Sequence, residues 1–97
     1  MQVLNKYHFK EAPQGAISIM RPSIFGNPFQ IGKDGTRDEV VRKYRHWLWK
    51  KINEDLEFRA SVLSLKGHDL ICCCAPRVCH GDVLKACVAY LDKFPKQ

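Results

Sequence analysis

Hydrophobic positions along the chain follow two periods, and the change from one to the other marks the elements. The opening MQVLN alternates weakly and reads as a short edge strand. AISIM, residues 16–20, is a better strand, with β-branched residues and a Pro/Gly-containing stretch before it. From Val40 the period becomes helical: Val40, Tyr44, Trp47, Leu48 and Ile52 make one apolar face, and Arg42, Lys43, Arg45, Lys50 and Lys51 make the opposite one. Thr36 and Glu39 form a T-x-x-E capping box at its start. Asn53 is placed to cap a second helix carrying Leu56, Ala60 and Leu63, with Gly67 ending it. DLICCC, residues 69–74, is a continuous apolar run, the pattern of a strand buried on both faces in a parallel sheet. A last helix runs from about Gly81 to Phe94, with Leu84, Cys87, Val88 and Leu91 inward and Pro95 stopping it.

The order strand, strand, helix, helix, strand, helix predicts a right-handed helical crossover and parallel strands. The expected fold is a single α/β domain over residues 1–97, with a small open sheet, mostly parallel and Rossmann-like, and about three helices. Between the second strand and the first helix lies RPSIFGNPFQIGKDG, residues 21–35, a loop by its Pro and Gly content. Ile24, Phe25 and Phe29 within it favour a functional loop over a disordered linker.

Composition sets the outer limits. The chain has 97 residues and is 45% hydrophobic, enough for one core. It has no apolar run near ~18 residues, so no membrane partner is expected. MQVLNKYHF lacks the pattern of a signal peptide, which points to a cytoplasmic protein with reduced thiols. Five cysteines, an odd and lopsided set, argue against a disulfide framework. The formal net charge of +6 attracts anions and leaves nucleic acid, nucleotides and acidic protein surfaces all open.

The stretch DLICCCAPRVCHGDV, residues 69–83, concentrates the candidate chemistry. Cys72 and Cys73 sit inside the apolar run and read as small buried hydrophobes. Cys74 lies at the carboxyl end of the strand, where open α/β sheets bind ligands. Cys79 and His80 fall at a helix N-terminus, where free N–H groups favour an anion or a thiolate. Cys74, Cys79 and His80 could supply three metal ligands, but no C-x-x-C knuckle or second pair accompanies them, so no metal is expected. A phosphatase-like loop would need an arginine after its cysteine, and here Gly-Asp-Val-Leu-Lys follows.

RPSIFGNPF (21–29), GTRDEVVRKYRHWL (35–48) and CCCAPRVCHGDVL (72–84) resemble the paired signatures of an uncharacterised domain family of bacteriophages and bacteria, DUF4326. The likeness covers roughly residues 16–91. It implies that the 21–29 loop and the Cys-His turn belong to one site, and it lends no reaction. The middle of the cysteine run is usually aromatic in that family; Cys73 in its place suggests packing there. The turn is also similar, more faintly, to a second uncharacterised family with a C-A-E…C-H-R turn. That family's Glu and Arg are Pro76 and Gly81 here, so a mechanism built on them does not carry over.

The reading that follows is a pocket for a small anionic ligand, a nucleotide or nucleoside derivative. Its binding residues would be Arg21, Pro22, Ser23, Gly26, Asn27, Pro28 and Phe29 from the loop, with Cys74 and Pro76 from the turn. Cys79 as a nucleophile, His80 as its activator and Asp82 as a base or ribose contact are the catalytic candidates. Each has a plainer reading: a solvated Arg21, an Asx turn at Asn27, a first-turn helix charge at Asp82. His8, His46 and His68 form no constellation. Gly-x-Gly-x-x-Gly, Walker and triad patterns are absent, so no cofactor is expected and whether the protein is an enzyme stays open. Two other classes remain: a phage-encoded interaction or anti-defence protein that engages a host protein in the host cytoplasm, and a nucleic-acid binder using the basic helix 37–52. The second ranks lower, because Trp47 lies on the apolar face of that helix.

Overall fold

Three short strands and three helices form among the described residues, and the most apolar strand takes the centre of the sheet. The structure is a computed structural model that describes residues 1–73 and 79–94. In chain order the elements are β1 (Val3–Asn5), a 3-10 turn (Lys6–His8), β2 (Ile17–Ser18), α1 (Arg37–Glu54), α2 (Leu56–Leu63), β3 (Leu70–Cys72) and α3 (His80–Lys93). The sheet order is β1-β3-β2, and both pairings are parallel, with Val3 and Ile17 each opposite Leu70. This is the expected small open α/β sheet with three helices. Pro95 falls outside the described residues.

All three residues of β3 are buried. Leu70 and Cys72 join the main core with Ile19, Tyr44, Leu48, Ile52, Leu84 and Leu91. Ile71, on the other face, is also buried but lies outside that cluster. Because the strands are parallel, their carboxyl ends share one edge. Ile19–Arg21 and Cys73 therefore leave the sheet side by side.

The capping box of α1 forms as the sequence predicts. The Thr36 hydroxyl accepts from the Glu39 N–H at 3.3 Å, and the Glu39 carboxylate accepts from the Thr36 N–H at 3.0 Å. That second bond lowers the Glu39 pKa. Val40, Tyr44, Leu48 and Ile52 are buried. Trp47 is half-buried, its ring 5.4 Å from Tyr44 and 5.9 Å from Phe58.

α2 corrects the sequence reading. Asn53 stays inside the last turn of α1, and Asp55 is the cap, its carboxylate accepting from the Phe58 N–H at 3.0 Å. The buried face is Phe58 and Val62, whereas Leu56 is 76% exposed. Two residues of offset turn a helix face by about 200°, which places Leu56 and Ala60 outward, while Leu63 still packs partly against the core.

α3 begins at His80 and buries Val83, Leu84, Cys87, Val88 and Leu91. Gly81 is buried where the helix meets the sheet. A Cβ there would lie 2.9 Å from both Ile19 Cδ1 and Val3 Cγ1. A side chain at 81 is therefore excluded by the fold itself. The Ile19 methyl can swing away, but the β-branched Val3 has little freedom to follow. Gly81→Ala should cost about 1–3 kcal/mol of stability by overpacking. A fall in the urea midpoint at unchanged slope is the expected result.

Candidate functional site

The edge where the strands end is closed into a cavity by the 21–35 loop, the start of α1 and the start of α3. Its volume is about 360 Å³, at the lower end of the roughly 300–1,000 Å³ of small-molecule pockets. Arg21, Asn27, Phe29, Cys79 and His80 all line it, together with Met20, Arg37, Val40 and Cys73. Cys74 and Pro76 fall outside the described residues.

Short hydrogen bonds hold the loop in place. The buried Tyr44 hydroxyl donates to the Phe25 carbonyl at 2.8 Å. Asn27 donates through Nδ2 to the Val40 carbonyl at 3.2 Å and accepts the Phe29 N–H at 2.9 Å. Asn27 therefore makes the Asx turn and also ties the loop to α1. The Ser23 hydroxyl accepts from the Phe25 N–H at 3.1 Å. Gly26 is buried, and a Cβ on it would come within 2.9 Å of the Arg21 backbone nitrogen, so the chain can fold back on itself only with glycine there. Pro22 and Pro28 are exposed and, like Ser23 and Gly26, do not line the cavity.

His80 anchors the opposite wall. Its Nε2 lies 2.7 Å from the Ile19 carbonyl, which can only accept, so Nε2 carries the proton and Nδ1 of the neutral ring is an acceptor. The ring meets the Tyr44 ring edge-on at 5.0 Å. Burial lowers the His80 pKa, with the Arg21 charge adding to the effect while the Ile19 bond and Asp82 oppose it.

Cys79 departs from the expected activated thiolate. It is the N-cap of α3, its sulfur accepting from the Gly81 N–H at 3.3 Å and donating to Cys72 Sγ at 3.6 Å. Burial pushes the thiol up to about 12, and the Gly81 bond only partly opposes this. Asp82 is exposed, and its carboxylate accepts from the Cys79 N–H at 3.2 Å, completing the cap. It does not line the cavity. Among the described residues no cysteine is bridged, and no cluster of three or more His, Cys, Asp or Glu groups could hold a metal.

Cys73 and Arg37 line the cavity and were not among the site residues expected from the sequence. Cys73, expected to be buried packing, is exposed, because strand pairing stops at Cys72 and residue 73 lies past the sheet edge. Arg37 occupies the first position of α1, where the helix dipole disfavours a cation. That local misfit was the available signal. Arg21 and Arg37 form no ion pair among the described residues.

Two measurements test this arrangement. Unfolded His80 titrates near 6.5, and the folded group titrates lower, so between the two values the unfolded chain binds more protons. The stability that His80 provides is present above about 6.5 and is lost as pH falls toward the lowered folded value. The unfolding midpoint should therefore drop through that window, and His80→Gln should flatten the drop. For the thiols, iodoacetamide under native conditions should modify Cys73 well before Cys72, Cys79 and Cys87, as mapped by tandem mass spectrometry. Equal rates at all four would contradict the burial described.

Comparison with known proteins bears on the whole chain. The model of a family described as domain of unknown function (DUF4326) matches residues 4–90. An uncharacterized 12.4 kDa protein in the nrdA-td intergenic region of Enterobacteria phage T4 is 30% identical over 93 residues, 95% of this chain and 81% of that protein. No solved structure matches.

Proposed function

This chain belongs to the DUF4326 family, and on that premise we propose that the cavity at the strand ends binds a small anionic ligand, a nucleotide or nucleoside derivative. The observation that carries the reading is the pairing of Arg21 and Arg37 on a largely apolar cavity. Two cations without ion-pair partners among the described residues suit a phosphate or similar anion. Phe29, Met20 and Val40 offer an apolar wall for a base or other flat group. The position at the carboxyl ends of parallel strands, beside a helix N-terminus, is where such ligands favour α/β sheets.

The raised Cys79 thiol and its role as a cap favour binding over catalysis by that cysteine. In this reading Cys79 and Asp82 build the wall and His80 orients it, leaving Nδ1 to accept from a ligand. The nucleic-acid reading is weaker, because Trp47 packs on Tyr44 and Phe58 instead of standing among the exposed Arg42, Lys43, Arg45 and Lys50. A phage relative fits a role in an infected host's cytoplasm, and none of the described helices is long and apolar enough to cross a membrane.

The test combines mass spectrometry of co-purified small molecules with calorimetric titration of the common ribo- and deoxyribonucleoside monophosphates. One of these should bind, and Arg21→Ala should weaken it roughly ten- to a hundred-fold, the loss of about 1.5–3 kcal/mol from one charge-assisted contact. The exposed Arg21 side chain is outside the core, so the unfolding midpoint should stay unchanged. No co-purified anion and no binding at millimolar nucleotide would sink the proposal.

A further inference from the structure

A second recess, sharing no residue with the first cavity, is lined by Trp49, Ile52 and Asn53 of α1, Arg59 of α2, and Tyr90 and Leu91 of α3. Its volume is about 160 Å³, well below the small-molecule range and suited to one side chain. Arg59, itself half-buried, makes it unusual: its Nη2 is buried and has no hydrogen-bond partner among the described residues. A guanidinium nitrogen held out of water without an acceptor destabilises the fold that contains it. Arg59 forms no ion pair among the described residues; Asp55, four residues earlier, caps α2, and Asp92 of α3 pairs with Lys66 at 2.8 Å.

Aromatic rings surround the recess. Trp49 and Tyr90 meet edge-on with centroids 5.1 Å apart, and Tyr90 continues to Phe94 at 5.0 Å. Tyr90 is 39% exposed and Phe94 42%. Trp, Tyr and Arg together around a small hollow are the residues on which interface binding energy concentrates.

We propose that this recess is a docking site for an acidic segment of a partner polypeptide, whose Asp or Glu carboxylate pairs with the accessible side of the half-buried Arg59 guanidinium while Trp49, Tyr90 and Phe94 cover the flanking residues. Charge complementarity carries the choice of occupant: Arg59 lines the recess and forms no ion pair among the described residues, and the chain's net charge of +6 draws acidic partners. The size of the hollow admits a carboxylate side chain and excludes a nucleotide.

The test uses nitrogen-detected NMR of the full chain, following the Arg59 side chain and the Trp49 indole. The probes are an end-blocked Gly-Leu-Glu-Leu-Gly peptide, its Gln counterpart and sodium acetate. The Glu peptide should shift both signals at millimolar concentration, with the Gln peptide at least tenfold weaker. Tyr90→Ala, at an exposed position, should weaken Glu-peptide binding at an unchanged unfolding midpoint. Arg59→Met should abolish binding and leave the midpoint equal or higher, because a buried donor atom without an acceptor is removed while the apolar stem is kept. Absence of shifts, equal binding of both peptides, or shifts spread evenly over surface lysines and arginines would overturn the proposal. A lower midpoint in Arg59→Met would make Arg59 a structural residue, and acetate binding as tightly as the peptide would make this a free-carboxylate site; either also overturns it.

Discussion

The hydrogen bond from the buried Tyr44 hydroxyl to the Phe25 carbonyl is the constraint on which the candidate site depends. A phenol inside a core must find an acceptor, and here it finds one in the loop. Burial also raises the Tyr44 pKa, which keeps the hydroxyl a donor. The same ring meets His80 edge-on, and His80 in turn bonds the Ile19 carbonyl at the end of the sheet. One residue of α1 thus joins the loop, the start of α3 and β2 into a single frame. Arg21 and Phe29 are held by this frame, because their own side chains contribute nothing to it.

Two arginines stand against local rules. Arg37 opens a helix at its positive end, and Arg59 buries Nη2 with no acceptor among the described residues. The rest of the chain is locally consistent, with capped helices, an apolar central strand and a single contiguous core. Against that background, departures of this kind mark places selected for something other than stability. They fall in separate hollows, one floored by the sheet and one formed among the three helices.

Much of this architecture was legible in the sequence. T-x-x-E fixes the start of α1, and the run Leu70–Cys72 has the uniform apolarity of a central parallel strand. Strand polarity brings Arg21 and His80 to one edge. The failures have physical causes. Asn53 and Asp55 are both competent caps, and only the packing of Phe58 decides between them. Cys79 lies at a helix N-terminus, which lowers a thiol pKa, but its burial against Cys72 raises it more, and burial is a tertiary property. Cys73 continues an apolar run in sequence, whereas the sheet ends one residue earlier because its neighbours end there.

The strand order has a kinetic consequence. β1 and β2 do not pair with each other; each waits for β3, and the Val3–Leu70 register spans 67 residues. Every strand pairing described is therefore non-local, and loop closure must precede it. On the ribosome the first fifty-odd residues can form little beyond α1, because every strand pairing needs the segment after Lys66. The cavity, whose walls come from residues 20–41 and from Cys73, Cys79 and His80, therefore forms only once α3 has begun. Nascent chains pass through a stage with a formed amphipathic helix and no sheet to cover it.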